Sequence, residues 1–291
     1  MRHAVLGAGG VGGLLAAALA RAGEDVVLLL RATSLARYPG RLTVDSAVLG
    51  RFVTEVPATP VLDRDVDVLW VTPKATQLEA ALELAPAHAV QQALVIPLLN
   101  GIDHMRVLRA RYDRVLAGTI RVASVRAADG RIVQTSPFVT MDLSGDGAAA
   151  VAAQVNVSGI DCHVGEDEVS LLWQKLAFLA PLALATTAGG APLGAVRHDP
   201  TYLRAQGEVL AVARAEGARI DLASLEAIRL AAPDTMGSSM QHDVDLGRPP
   251  ELEAIAGPVL RGGRAHGIAT PAVEDLVSRV EARAAAAGSL S

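Results

Sequence analysis

The sequence contains one cysteine, Cys162, among 291 residues. A single thiol excludes an intramolecular disulfide and a zinc site that is built from several thiolates. The seven histidines show no metal-ligand spacing and no G-x-S-x-G motif is present, so we predict no metal site and no serine-hydrolase nucleophile. An excess of positive charge is also absent. The net charge of −5 argues against a nucleic-acid partner.

Long uninterrupted hydrophobic runs are missing too, although 51% of the residues are hydrophobic. Gly, Pro, Arg or Lys breaks each apolar stretch before the ~18 residues that a membrane span needs. The opening Met1-Arg2-His3 leads straight into a short apolar segment, which does not fit a secretory signal. We therefore expect a cytoplasmic protein with no membrane partner. The length and the globular composition fit two domains.

Lysine is nearly absent: Lys74 and Lys175 are the two lysines among 26 basic residues, and the others are arginine. An arginine-favouring genome explains the bias, and chance retention of two lysines is one interpretation. The other interpretation is chemical, because arginine stays charged in proteins whereas lysine can exchange a proton. The two lysines are therefore candidates for a role that arginine cannot fill.

The first half of the chain alternates short apolar runs with helical patterns, which is typical of βαβ units and a parallel sheet. Strands are predicted over 3–6, 25–30, 66–72, 93–99 and 115–120, and helices over 11–22 and 76–84. Residues 42–44 and 51–56 are predicted to form a β-excursion. Residues 132–140 and 154–157 are predicted to add edge strands.

From about residue 166 onward the pattern becomes helical throughout. Helices are predicted over 166–187 with a bend at Pro181, then from Asp199-Pro200 to Gly217, and over 223–231, 238–246, 250–267 and 271–285. The predicted fold is thus an α/β Rossmann-like dinucleotide-binding domain, residues 1–165, followed by an all-α C-terminal domain, residues 166–291.

A glycine-rich segment of the G-x-G-x-x-G type follows the first strand and opens the first helix; its candidate cofactor-binding residues are Gly7, Gly9, Gly10, Val11 and Gly12. In dinucleotide-binding folds these glycines permit a tight turn, a close approach of the pyrophosphate and close packing of helix on strand. The pattern alone is a weak signal in a chain with 27 glycines, and a turn without a ligand is the alternative. Its position between a strand and a helix favours cofactor binding.

Arg31 follows the second strand, 19 residues after Gly12. NAD-binding proteins carry an acidic residue near this point, which binds the ribose 2′-hydroxyl. A guanidinium suits a 2′-phosphate instead, so we predict NADP(H) as the cofactor. Lys74 and Asn100 each follow a predicted strand, at the edge where such sheets bind ligands. The alternatives are solvated cations for Arg31 and Lys74, and an ordinary Asn-Gly turn at Asn100.

Lys175 lies in an apolar stretch of the first long helix. Partial burial there would lower the pKa of its ammonium toward neutrality, which suits a general acid in carbonyl reduction. A lysine that merely extends its ammonium to solvent is the alternative. Ser239 and Glu251 lie at or near the starts of two later helices. From the residues alone, helix capping by Ser239 and a favourable helix-dipole interaction of Glu251 are the better interpretations.

Ordered motifs run through both halves of the chain: GAGGVG (7–12), VTPK (71–74), LNG (99–101), GT (118–119), LWQKL (172–176), SSMQHD (238–243), GRPPELEAI (247–255) and HGIATP (266–271). With these motifs the chain resembles the ketopantoate reductase family, the 2-dehydropantoate 2-reductases, over nearly its whole length. The resemblance implies NADPH-dependent reduction of ketopantoate to pantoate, on the route to pantothenate and coenzyme A. It also implies a monomer or a homodimer.

By this resemblance Lys175 is the catalytic acid, which protonates the C2 carbonyl oxygen as hydride arrives from nicotinamide C4. Ser239 binds the substrate carboxylate. Glu251, a second catalytic residue, holds the substrate hydroxyl or the ribose end of the site. Asn100 lies where nicotinamide ribose and substrate meet. The resemblance places Arg31 and Lys74 on the adenosine-phosphate side.

The chain departs from the family pattern at two positions. Family members usually carry asparagine four and eight residues after the lysine, whereas this chain has Leu179 and Ala183. Both positions share the lysine's helix face. A site that loses polar contacts to a substrate hydroxyl is less selective for substrates that carry this hydroxyl. The alternatives are therefore a related reductase of a more apolar 2-keto acid, or a non-catalytic NADPH sensor in which Lys175 is dispensable.

Overall fold

The computed structural model describes residues 1–165 and 167–288. The chain forms two compact units, Met1–Leu99 with His104–Glu168 and Asn100–Asp103 with Val169–Ser291. The short segment Asn100–Asp103 thus belongs with the helical unit, although the strand that precedes it, Leu94–Pro97, belongs to the first unit.

The first unit contains, in chain order, β1 (Arg2–Leu6), α1 (Gly10–Arg21), β2 (Asp25–Leu29), α2 (Ala32–Leu35), β3 (Arg41–Ser46), β4 (Gly50–Glu55), β5 (Ala58–Thr59), β6 (Val68–Val71), α3 (Leu78–Leu82), β7 (Leu94–Pro97), α4 (His104–Arg109), β8 (Ala117–Arg121), β9 (Ser124–Arg126), β10 (Ile132–Gln134), β11 (Thr140–Ser144), α5 (Ala148–Val157) and β12 (Asp161–Val164). Five of these strands form a parallel sheet in the order β5-β2-β1-β6-β7. Leu6 of β1 is paired with Leu29 of β2 and with Val71 of β6, so these three strands end level with one another. The predicted Rossmann-like sheet is confirmed.

Two smaller sheets complete the first unit, with strand orders β4-β3-β10-β9 and β12-β11-β8. The predicted β-excursion is the antiparallel pair β3 and β4. The prediction that residues 115–120 extend the parallel sheet holds only at Val115, which forms a parallel bridge with Val95 of β7. The strand β8 that follows pairs antiparallel with β11 instead. An apolar run shows that a strand is buried but carries no information about its partner.

The predicted edge strand over residues 154–157 was also wrong, because these residues end helix α5. The buried residues of α5 recur at helical spacing: Ala148, Val151, Ala152 and Val155. A window of four residues is too short to show that period. The predicted strand over 132–140 is divided into β10 and the start of β11, and the predicted helix over 76–84 opens as a 3-10 turn, Ala75–Gln77.

The second unit contains α6 (Glu168–Gly189), α7 (Leu193–Val196), α8 (Pro200–Ala215), α9 (Leu222–Ala231), α10 (Ser239–Asp245), α11 (Leu252–His266) and α12 (Pro271–Ala286). This all-helical second half was predicted. α6 runs through Pro181 and is the one helix, among the described residues, that is long and apolar enough to cross a membrane. Most of it is buried within the protein, as expected of a core helix.

Side-chain caps define two of these helix starts. The Asp199 carboxylate accepts a hydrogen bond from the Thr201 amide at 2.7 Å, just ahead of Pro200. The Ser238 hydroxyl accepts one from the Gln241 amide at 3.0 Å. Each bond satisfies an amide that the helix leaves without a partner in its first turn.

His3 is fully buried in β1, where its Nδ1 accepts a hydrogen bond from the indole Nε1–H of Trp70 at 3.1 Å. The imidazole is therefore neutral, with its proton on Nε2, 3.6 Å from the Glu24 carboxylate. Burial lowers the pKa of His3 to about 4, although Glu24 opposes the shift.

Acidification is expected to destabilise the fold through His3. The unfolded chain binds a proton near the ordinary pKa of 6.5 and the folded chain only near 4, so stability is lost as the pH falls through this window. Between pH 7 and pH 5 the loss from this group is about 2 kcal/mol. Urea unfolding of wild type and His3→Asn at both pH values tests it, because asparagine keeps an acceptor for Trp70 but does not titrate. Equal losses in both proteins would contradict the assignment.

Candidate active site

The glycine-rich turn joins β1 to α1, and its geometry demands glycine at several positions, among them Gly7 and Gly12. Gly7 has a φ of +94°, which L-residues rarely adopt. A Cβ on Gly12 would lie 2.1 Å from the carbonyl oxygen of Gly7 and 2.2 Å from Oγ1 of Thr72. Gly12 therefore lets the first turn of α1 approach the end of β1.

Thr72 fixes this turn and was not singled out by the sequence. It follows β6, whose register with β1 places it beside Gly7. Its hydroxyl lies 2.8 Å from the carbonyl oxygen of Leu6 and 3.1 Å from that of Gly7, and donates to them. In the sequence, Thr72 appears only within the VTPK motif and as the last residue of the strand predicted over 66–72.

Gly9 differs from its neighbours because its surroundings are open. Its φ of −76° and ψ of −166° are available to any residue, and no protein atom lies within 4 Å of an added Cβ. Gly10 and Val11 open α1 directly after it, so their amides lie in the first turn, which attracts anions. A methyl group at Gly9 would therefore meet no protein atom.

Arg31 and Lys74 lie on either side of this turn. Arg31 is two residues beyond Leu29 of β2, is exposed and precedes α2. Lys74 is three residues beyond Val71 of β6, is partly exposed and precedes the 3-10 turn. Since β2 and β6 flank β1 in register, both cations lie at the carboxyl edge of the sheet, where the sequence predicted them.

Asn100 and Glu251 come together in the second unit although 151 residues separate them. The Asn100 Nδ2 donates to Glu251 Oε2 at 3.4 Å. Glu251 is 7% exposed and occupies the N-cap of α11. Its buried carboxylate is therefore engaged by a side chain, which a simple dipole role would not require.

The turn after Asn100 is held tightly against α11. Gly101 has a φ of +80°, and a Cβ there would lie 2.1 Å from the carbonyl oxygen of Ala254. The Arg261 guanidinium bonds both Asp103 and Glu253. These contacts position the Asn100 amide against Glu251.

Lys175 lies in the second turn of α6, partly exposed, between the buried side chains of Trp173 and Leu176. Leu179 follows one turn later and is also partly exposed. Ala183, on the same side of the helix, is 1% exposed and packs in the core of the unit. Of the two positions that depart from the family pattern, Leu179 therefore lies at the surface beside the lysine.

Ser239 is exposed at the first position of α10, and the capping hydroxyl belongs to Ser238 instead. Ser238 is buried against α6, where Thr186 Oγ1 donates to its hydroxyl at 3.0 Å. Thr186 is 11 residues after Lys175, about three helical turns along the same face of α6. One helix thus carries Lys175 and also orients the start of α10, a link that the sequence did not predict.

Metal chemistry has no framework among residues 1–165 and 167–288, where no three His, Cys, Asp or Glu side chains cluster as a metal site. The thiol of Cys162 is buried, and burial raises its pKa to about 12. The four predicted residues Lys175, Glu251, Asn100 and Ser239 all lie in the second unit, and the glycine-rich turn lies in the first.

A parallel sheet with a glycine-rich turn at its carboxyl edge, followed by a helical unit with a lysine and a buried glutamate, defines the class of nicotinamide dinucleotide-dependent oxidoreductases. The family comparison is specific. The model described as "Ketopantoate reductase PanE/ApbA" matches residues 3–143, and its "C terminal" counterpart matches residues 169–284. The chain belongs to the ketopantoate reductase family, whose cofactor is NADP(H), and is an oxidoreductase of the 2-dehydropantoate 2-reductase type.

Individual relatives agree with this membership. The chain is 32% identical over 292 residues to 2-dehydropantoate 2-reductase of Caulobacter vibrioides, covering 97% of this chain and 98% of that protein. A ketopantoate reductase structure from Ralstonia eutropha JMP134 has a TM-score of 0.88 at 24% identity, covering 99% of both chains. D-mandelate dehydrogenase with NADH and anilino(oxo)acetate has a TM-score of 0.84 at 22% identity, covering 99% of both chains. These two likenesses establish the fold.

Proposed function

We propose that this protein reduces 2-dehydropantoate to pantoate with NADPH. The Caulobacter relative carries that activity in its name and aligns over nearly the whole of both chains. The observation that carries the proposal is the buried Glu251 carboxylate bonded to Asn100, in the same unit as Lys175. A polar pair of this kind supplies an acceptor for the hydroxyl that distinguishes 2-dehydropantoate from simple 2-keto acids.

The reaction needs a proton at the carbonyl oxygen, and we assign its donation to Lys175. The ammonium also stabilises the alkoxide that develops at this oxygen. Glu251 accepts a hydrogen bond from the substrate hydroxyl, with Asn100 orienting its carboxylate. Ser239, exposed at the start of α10, binds the substrate carboxylate.

NADPH supplies the hydride from nicotinamide C4. Its pyrophosphate would be held by the backbone of Gly7, Gly9, Gly10, Val11 and Gly12. Arg31 and Lys74 would bind the adenosine phosphates, and Asn100 and Glu251 the nicotinamide ribose. The open space beside Gly9 and the cation at Arg31, where NAD-binding proteins carry an acid, support this assignment.

A different, more apolar 2-keto acid is the second candidate substrate. Leu179 favours it, because this apolar side chain lies one turn from Lys175 at the surface of α6. The fold neighbour D-mandelate dehydrogenase was solved with NADH and anilino(oxo)acetate, which carries a phenyl group. A non-catalytic NADPH sensor is the weaker alternative, since the chain belongs to a family of reductases.

The test is NADPH consumption with 2-dehydropantoate, with the 2-keto acid of the same skeleton that lacks its hydroxyl, and with phenylglyoxylate. We expect kcat/KM for 2-dehydropantoate to exceed that for the other two by at least tenfold, because each loses the Glu251 contact. The variant Leu179→Asn is the matched control for the departure from the family pattern. A wild type that prefers either other acid, with Leu179→Asn restoring 2-dehydropantoate, would instead support the second candidate.

Two further properties stay part of the proposal. We expect a cytoplasmic protein that acts on a small-molecule 2-keto acid without a nucleic-acid or membrane partner. We also expect a monomer or a homodimer, and a ketopantoate reductase of the same fold from Staphylococcus aureus is described as dimeric. Light scattering of the purified chain distinguishes the two states.

A further inference from the structure

Strand β9 covers the glycine-rich turn from the four-stranded sheet. The Ser124 hydroxyl donates to the carbonyl oxygen of Gly10 at 2.8 Å, and the Arg126 Nη1 donates to that of Ala8 at 3.4 Å. Successive side chains of a strand point to opposite faces, so Ser124 and Arg126 face the turn together. Val125, between them, points away and is 50% exposed.

Arg126 reaches the same edge of the parallel sheet as Arg31. Leu6 and Leu29 are paired in β1 and β2, and Ala8 and Arg31 each lie two residues beyond that pair. The carbonyl that Arg126 contacts therefore lies, like Arg31, just beyond the carboxyl ends of β1 and β2. Arg31 thus follows β2 at this edge of the sheet, and Arg126 contacts the turn at the same edge from β9.

Tyr38, seven residues after Arg31, lies close enough to Arg126 for the guanidinium charge to act on its phenol. Its hydroxyl donates to the carbonyl oxygen of Val56 at 2.8 Å. Burial raises the pKa of Tyr38 to about 12, and the positive charge of Arg126 opposes that rise. Within residues 1–165 and 167–288 no carboxylate forms an ion pair with Arg31 or Arg126, so neither charge is neutralised there.

We propose that Arg126 is a second cofactor-binding cation, which together with Arg31 binds the 2′-phosphate of NADPH. A phosphate monoester carries about −1.5 to −2 charges at neutral pH, which two guanidinium groups match. Arg126 also offers the fork of donors that suits phosphate oxygens. This inference rests on the proposed NADPH dependence and adds a residue that no sequence motif marks.

The test measures dissociation constants by calorimetry without a keto acid, for NADPH, NADH, 2′,5′-ADP and 5′-AMP. We expect Arg126→Gln to weaken NADPH and 2′,5′-ADP by about tenfold or more, and NADH and 5′-AMP by less than about threefold, since only a contact to the 2′-phosphate is lost. Arg126→Lys should recover part of the affinity. Arg114→Gln is the charge-matched control, because Arg114 bonds Gln92 ahead of β7, at the opposite edge of the sheet.

The outcomes separate this inference from the proposed function. Equal weakening of NADPH and NADH by Arg126→Gln would overturn it, since the contact would then be to the shared pyrophosphate or to the turn itself. If Arg126→Gln kept the wild-type preference for NADPH over NADH, the role of Arg126 would be refuted and the proposed function would stand. A wild type that binds NADH as tightly as NADPH would overturn the proposed NADPH preference and this inference together.

Discussion

Replacing Lys175 with alanine is expected to lower kcat for the preferred 2-keto acid by a factor of about 10² to 10⁴ while leaving the dissociation constant of NADPH unchanged. The factor is that of a positioned general acid, and the ammonium adds stabilisation of the developing alkoxide. Lys175 lies at the surface of α6 with its neighbours Trp173 and Leu176 buried, so alanine removes the amine without opening the core. Single-turnover measurement of NADPH oxidation separates this step from product release.

Lys175→Arg tests whether charge or proton donation matters. Arginine keeps the positive charge but does not give up a proton in proteins, so it should stay within about tenfold of the alanine variant. Lys74→Arg, at the only other lysine, is the matched control. It should leave kcat unchanged, because a phosphate contact tolerates a guanidinium. Full activity of Lys175→Ala would refute the general-acid assignment, whereas a wild type that binds NADPH tightly but turns over no 2-keto acid would favour the sensor.

Two glycines of the same turn are expected to fail in opposite ways when each becomes alanine. Gly9→Ala should fold normally yet lose at least about 100-fold in NADPH affinity, since its methyl group enters the open space assigned to the pyrophosphate. Gly12→Ala should destabilise the fold by several kcal/mol, because its methyl would overlap the Gly7 carbonyl. Thermal unfolding and NADPH titration of both variants make the comparison.

The internal control is the contrast between the two variants. Gly9 has an extended backbone that alanine adopts freely, so a lower melting temperature for Gly9→Ala would contradict an open site. Normal NADPH binding by that variant would show that the pyrophosphate does not pass beside Gly9. A stable Gly12→Ala protein would mean that α1 can shift away from β1, against the tight packing of this turn.

Periodicity predicted the elements that are long or strongly patterned. Strands β1, β2, β6 and β7 and the succession of helices after α6 were found where the sequence indicated, because each buries a continuous apolar face. The errors concern short segments whose partners are remote. Residues 154–157 continue an alanine-rich helix, and β8 joins β11 rather than the parallel sheet.

The candidate site shows the same division. The glycine turn, Arg31 and Lys74 could be assigned from local order, because strand ends in a parallel sheet meet at one edge. Thr72 and Arg126 could not be assigned, since their contacts depend on which strands lie beside or above the turn. The bond between Asn100 and Glu251 likewise joins residues that are 151 positions apart.

By itself, the sequence determined the class of this protein. Two lysines among arginines, a glycine-rich turn after the first strand and a change from alternating to purely helical patterning are local properties, and local properties are readable in order along the chain. Only the tertiary structure decided which carboxylate meets Asn100, which hydroxyl holds the turn and which second guanidinium reaches it. Those contacts depend on strand register and helix packing, which bring distant residues within hydrogen-bond distance.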